Sequence, residues 1–132
     1  MISPIEGQAD GPLKTIYLQG RLSNWQLSES DSGQHLFTRQ RCPVDRCNLT
    51  DSSNEVGRAD AVLIKDVDWL NYNHHRLANQ IWIMYTLESS LSLSIPQEAN
   101  DKINWTATYR HDSELTAPYE KWIYFDNTQQ QV

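Results

Sequence analysis

The chain has 132 residues and a formal net charge of −6, with 39% hydrophobic and 21% charged residues. That length fits one domain with one real core, and the composition is that of an ordinary globular chain. The acidic balance argues against a nucleic-acid backbone or an anionic membrane surface as partner, because both require clustered Lys and Arg.

Residues 1–12 hold Pro4, Gly7, Gly11 and Pro12 and read as a flexible leader. The first residues have neither a basic n-region nor an apolar h-region, so they do not form a signal peptide, and no apolar run approaches bilayer-spanning length. Leu13 to Leu18 is the first strand candidate. Gly20 to Gly33 is polar and serine-rich and reads as a loop in which Trp25 and Leu27 could dock onto the domain. His35 to Thr38 reads as a short second strand leading to Cys42 and Cys47. A zinc site would need a second ligand pair, and the adjacent His74 and His75 have the wrong spacing, so no metal is expected. In a lumenal protein a disulfide is the better reading of the two cysteines.

Thr50 or Asp51 could cap a short helix running to about Arg58. Ala61 to Ile64 is an unbroken apolar run of the parallel-strand type. The following segment, Asp66 to Asn79, is polar, with Trp69, Leu70 and Leu77 as possible anchors. Its Asp66-Val67-Asp68 has the D-x-D form that can hold a divalent ion against a nucleotide diphosphate, but it is read here as a solvated turn. Ile81 to Tyr85 is a buried strand, followed at once by Glu88 and then by a segment with a helix expected around Leu91 to Asn100. Ile103 to Tyr109 is strand-like and ends in the polar cluster Arg110 to Glu114, closed by Pro118 and Tyr119. Residues 121–132 carry the apolar Trp122 to Phe125 and a polar tail that is expected to fray. Widely spaced apolar strands imply crossover connections and a parallel α/β sheet.

Ligands of open α/β sheets sit outside the carboxyl ends of strands, which singles out Glu88 and Arg110. A carboxylate there can act as a general base toward a hydroxyl within hydrogen-bond reach, and apolar neighbours such as Leu87 would desolvate it. The competing reading is a surface carboxylate that caps the next helix. Trp82, Tyr85 and Trp69 could offer a flat apolar face to a pyranose ring, or, for Trp82 above all, pack in the core. Arg110 could pair with Asp112 or face a diphosphate, for which a forked guanidinium is suited. Asn48-Leu49-Thr50 and Asn104-Trp105-Thr106 are N-glycosylation sequons, with Asn48, read as a loop residue, the easier site.

The segment Asn104 to Tyr119 resembles the signature of the α1,3-fucosyltransferases, approximately F-N-W-T-x-S-Y-R-x-D-S-D-x-x-x-P-Y-G, matching at Asn104, Trp105, Thr106, Tyr109, Arg110, Asp112, Ser113, Pro118 and Tyr119. Gln80-Ile81-Trp82, Leu87-Glu88-Ser89 and Ala59-Asp60-Ala61-Val62 are similar to the family's Q-x-W, E-S-P and A-D-A-V segments, although Ser90 replaces the proline. Cys42 to Cys47 is similar to a C-P-V-x-x-C element of plant and invertebrate members. The resemblance implies a Rossmann-like parallel-sheet domain over 13–120, the N-terminal, acceptor-side half of a two-domain glycosyltransferase of the GT-B type, with 121–132 as a truncated interdomain tail. It implies Glu88 as the catalytic base, GDP-fucose as donor substrate and no tightly bound cofactor. The implied acceptor is the 3-hydroxyl of N-acetylglucosamine on an N-glycan or glycoprotein. It also implies a role for Arg110, Asp112 and Tyr119 at the donor side or interdomain seam, and cysteines that could pair with partners in a C-terminal half. That donor-binding domain and the usual Golgi membrane anchor are absent from this sequence, so a lumenal Golgi enzyme is expected whose 132 residues have little activity alone. The alternative expectation is a non-catalytic truncated homologue that binds a glycan or a protein partner.

Overall fold

A computed structural model describes residues 11–66, 75–89, 91–95 and 97–118. Most of the leader, Asp68, Trp69, His74, Ser90, Tyr119 and the tail 121–132 lie outside the described residues. The core is a six-stranded sheet ordered β2-β1-β3-β4-β5-β6. Its strands are β1 (Lys14–Leu18), β2 (Cys47–Thr50), β3 (Ala61–Lys65), β4 (Ile81–Tyr85), β5 (Trp105–Thr108) and β6 (Leu115–Thr116). Every neighbouring pair is parallel. The order reverses at β1, with β2 on one side and β3 onward on the other, which is the doubly wound arrangement of Rossmann-like α/β folds.

The apolar runs sort onto two faces because successive strand residues point oppositely. Tyr17, Val62, Ile64, Trp82 and Met84 pack on one face with Val56 and Ala99 from the connections. Leu18 and Leu49 pack on the other with Leu22, Trp25, Leu36 and Phe37. The β1–β2 connection therefore covers one face, and parts of the β2–β3 and β4–β5 connections cover the opposite one. Beyond the β1–β2 cover, an open groove of about 660 Å³ remains, with Leu63, Ile81, Ile83, Trp105 and Leu115 in its lining.

Several expected elements differ. His35–Arg39 is a short helix, α1, not a strand. Leu36 and Phe37 reach the same cluster from adjacent positions, which a strand could not achieve. The second strand is Cys47–Thr50, so Asn48 lies in the sheet rather than in a loop. The helix expected up to Arg58 is a 3₁₀ turn, Val56–Arg58. The one expected around Leu91 to Asn100 reduces, among the described residues, to the 3₁₀ turn Gln97–Ala99.

Asp31, 6% exposed, anchors the β1–β2 connection. It accepts the Ser28 backbone N–H at 2.8 Å and pairs with Arg39 at the end of α1. The Ser28 N–H first, and then Arg39, hold its carboxyl below the usual carboxylate range. A depressed folded value means that the contribution is present above the unfolded value near pH 4 and is lost as pH falls through the folded value. We predict that Asp31→Asn weakens the dependence of melting temperature on pH between about pH 4 and pH 2. Superimposable acid profiles for the two proteins would remove Asp31 from this role.

Gln80 is a buried polar residue, 3% exposed, just before β4. Its Nε2 donates to the carbonyls of Val56 at 2.8 Å and Ala59 at 3.0 Å, and its Oε1 accepts the Trp82 indole N–H at 2.8 Å. Gln80→Leu, similar in volume, strands all three partners, and each unsatisfied buried group costs about 1–3 kcal/mol. The expected loss is about 3 kcal/mol in urea denaturation; a loss below about 1 kcal/mol would contradict the bridge.

Candidate functional site

At the carboxyl edge of the sheet, Thr86 directly follows β4. Its N–H donates to the Ala107 carbonyl at 3.1 Å, and its buried hydroxyl accepts the Glu88 N–H at 3.1 Å. A hydroxyl that caps the N–H two residues on makes a tight local turn. The turn lifts Glu88 onto the rim shared by two cavities. One, about 330 Å³, is lined by Thr86, Thr108, Tyr109 and Arg110 as well as Glu88. The other, about 380 Å³, is lined by Trp25, Lys65, Asp66 and Tyr85 as well as Glu88. Glu88 is exposed, so Leu87 does not desolvate it as the sequence suggested. Among the described residues its carboxylate has no hydrogen bond or ion pair.

Arg110 turns its fork onto Asp112, with Nε and Nη2 each 2.8 Å from a carboxylate oxygen. Arg110 thereby holds the Asp112 carboxyl below its usual range. Both side chains are exposed, so the pair orders its own loop more than it stabilises the fold. Glu114 supports the same loop: one oxygen accepts the Thr106 N–H at 2.8 Å and the Thr106 hydroxyl at 2.9 Å. The Thr106 backbone N–H is the main reason its carboxyl sits low. These contacts let a connection much shorter than an ordinary crossover bring β6 parallel to β5.

Trp82 corrects the aromatic platform. It is 5% exposed with its indole bound to Gln80, so its ring belongs to the core. Tyr85 does reach the edge, with its ring centroid 5.3 Å from that of Trp25. Trp69 and Tyr119 lie outside the described residues. Cys42 and Cys47 are free, half-buried thiols rather than a local bridge, and burial raises the Cys47 thiol. Asn48 is half-buried and donates to the Thr15 hydroxyl at 3.3 Å, whereas Asn104 is exposed, which reverses the expected order of accessibility. Oδ1 of Asn104 accepts the Trp82 N–H at 2.8 Å. His75 is exposed, and no cluster of metal-ligating side chains occurs among the described residues. Nor does any described helix have the length and apolar character to cross a membrane.

Trp25 became visible as a site residue only in three dimensions. Gly20, at φ 90°, turns the chain after β1, and the Trp25 indole N–H donates to the Gln19 carbonyl at 3.1 Å. Lys65 Nζ then donates to the Asn24 carbonyl at 3.0 Å and lies 5.7 Å from the Trp25 ring centroid. In the sequence, the sole pointer was a lone tryptophan in a polar loop.

An all-parallel doubly wound sheet with cavities and an acidic side chain at its carboxyl edge defines a Rossmann-like α/β domain. The family model described as fucosyltransferase, N-terminal, matches residues 14–120, and the chain belongs to that glycosyltransferase family. It is 39% identical over 131 residues to glycoprotein 3-alpha-L-fucosyltransferase A of Drosophila melanogaster, covering 96% of this chain and 24% of that protein. It is 31% identical over 98 residues to alpha-(1,3)-fucosyltransferase fut-6 of Caenorhabditis elegans, covering 64% and 25%. With 4-galactosyl-N-acetylglucosaminide 3-alpha-L-fucosyltransferase FUT5 of Gorilla gorilla gorilla it shares 33% identity over 86 residues, covering 58% and 23%. The chain thus spans about a quarter of the length of the relatives it matches.

Proposed function

We propose that this chain forms the acceptor-side half of a GDP-fucose-dependent α1,3-fucosyltransferase that acts on N-acetylglucosamine of glycoprotein glycans in the Golgi lumen. The observation that carries the reading is Glu88, exposed on a rim between two cavities at the end of β4, within a chain of this family. The glycoprotein acceptor follows the name of the Drosophila relative.

In this reading the Glu88 carboxylate takes the proton of the acceptor 3-hydroxyl. The oxygen attacks the anomeric carbon of fucose as the bond to the diphosphate oxygen breaks, and GDP leaves from the opposite face with inversion. Base catalysis of this kind requires a carboxylate within hydrogen-bond reach of the hydroxyl and free of competing ion pairs. Glu88 meets the second condition among the described residues. The diphosphate needs cationic stabilisation, and among the described residues the two cations on these cavities, Arg110 and Lys65, are engaged with Asp112 and with the Asn24 carbonyl. The donor half is therefore assigned to the additional length found in the relatives.

In a full-length protein that contains this chain, Glu88→Gln is expected to lower kcat by at least about a hundredfold with little change in the KM for GDP-fucose. Retained turnover in a radiolabelled transfer assay would remove Glu88 as the base. The 132 residues alone are expected to give no transfer above background in that assay, and robust turnover would refute the division of labour.

A further inference from the structure

Strand β4 is apolar from Ile81 to Tyr85, and a buried threonine follows it. Thr86 is 5% exposed, in a place where valine would fill the same space without a hydroxyl to desolvate. That hydroxyl is in use, as acceptor of the Glu88 N–H at 3.1 Å. The same two-residue turn closes two other strands. Thr108, at the end of β5, accepts the Arg110 N–H at 3.1 Å, and Thr50, at the end of β2, accepts the Ser52 N–H at 3.1 Å. Strands β4 and β5 are neighbours, and the Thr86 N–H donates to the Ala107 carbonyl at 3.1 Å, so their two turns are tied at one height. Both turns line the cavity of about 330 Å³ and set Glu88 and Arg110 on it.

We propose that Thr86 is a positioning residue for sugar transfer: its hydroxyl fixes the backbone from which the Glu88 carboxylate reaches the acceptor hydroxyl. This assignment rests on the fucosyltransferase reading and deepens it from the base to the group that holds the base. Among the described residues nothing bonds the Glu88 carboxylate, so the reach of this side chain is set at its Cα. Without the Thr86 acceptor, the Glu88 N–H turns to water and that Cα moves relative to both cavities. A displacement of about 1 Å near a reacting atom can cost about a hundredfold in rate. The loss is smaller here, because the Ala107 carbonyl still anchors residue 86.

The test uses a full-length protein that contains this chain, an N-acetylglucosamine-terminated glycopeptide and GDP-fucose. Thr86→Val is expected to lower kcat about tenfold per GDP-fucose-binding site, counted by calorimetric titration, with both KM values changed less than about twofold. Thr86→Ser, which keeps the acceptor, is expected to recover most of the rate. A double-mutant cycle decides between positioning and a merely structural role. In a Glu88→Gln background, Thr86→Val is expected to have no further effect, because the group it positions no longer takes the proton. A further loss of about tenfold in that background overturns the role, as do an unchanged kcat in folded Thr86→Val and a Thr86→Ser variant as slow as Thr86→Val. If Thr86→Val fails to fold, Thr86→Ala, which also lacks the acceptor, takes its place in the cycle. Full turnover by Glu88→Gln sinks the fucosyltransferase mechanism itself, whereas an impaired Glu88→Gln with additive losses sinks only the role of Thr86.

Discussion

The side-chain amide of Gln80 is the constraint on which the rest of the sheet depends. It satisfies two carbonyls of the β2–β3 connection and the indole of Trp82 in β4, so the connection and the strand meet at one buried polar group. A buried amide is tolerated only when its hydrogen bonds are complete, and here both its donor and acceptor ends are used. Arg76 closes the arrangement from outside: its guanidinium lies 5.5 Å from the Trp82 ring centroid and donates to the carbonyls of Gln80 and Lys102 and to Asn104 Oδ1. Strand β4 is thereby fixed in position and rotation, and with it the point at which Thr86 lets the chain turn.

That point gives the Q-x-W, E-S and N-W-T stretches of the sequence separate physical duties. Gln80 and Trp82 lock the strand, Asn104 ties the amino end of β5 to it through the Trp82 N–H, and Glu88 emerges at the far end. Asp60, from the A-D-A-V stretch, does comparable work on β1 by accepting the Thr15 N–H at 2.8 Å. Most of these residues are scaffolding for an edge. Chemistry is left to the few side chains that the scaffold holds out beyond it, which is the usual economy of an open parallel sheet.

β3 and β4 were legible as unbroken apolar runs because a parallel strand buried on both faces needs no alternation, and β1 and β5 were legible as strand-like stretches with β-branched and aromatic residues. β2 and β6 were not, because Cys47–Thr50 and Leu115–Thr116 are short and mixed in character, and neighbouring backbone gives them their pairing. His35 to Thr38 misled because a polar–apolar–apolar–polar stretch fits either period; only the cluster around Leu49 selects the helix. For the site, Glu88 was visible because it follows a clear strand at once. The Trp25 wall was not, because it depends on a turn at Gly20 and on Lys65 reaching across from β3. Spacing along a chain carries no record of such a crossing.

The turn at Thr86 holds the backbone of Glu88, while among the described residues nothing bonds its carboxylate. The rim therefore fixes where this side chain begins but not where it points, and leaves its final aim to whatever docks in the two cavities it borders.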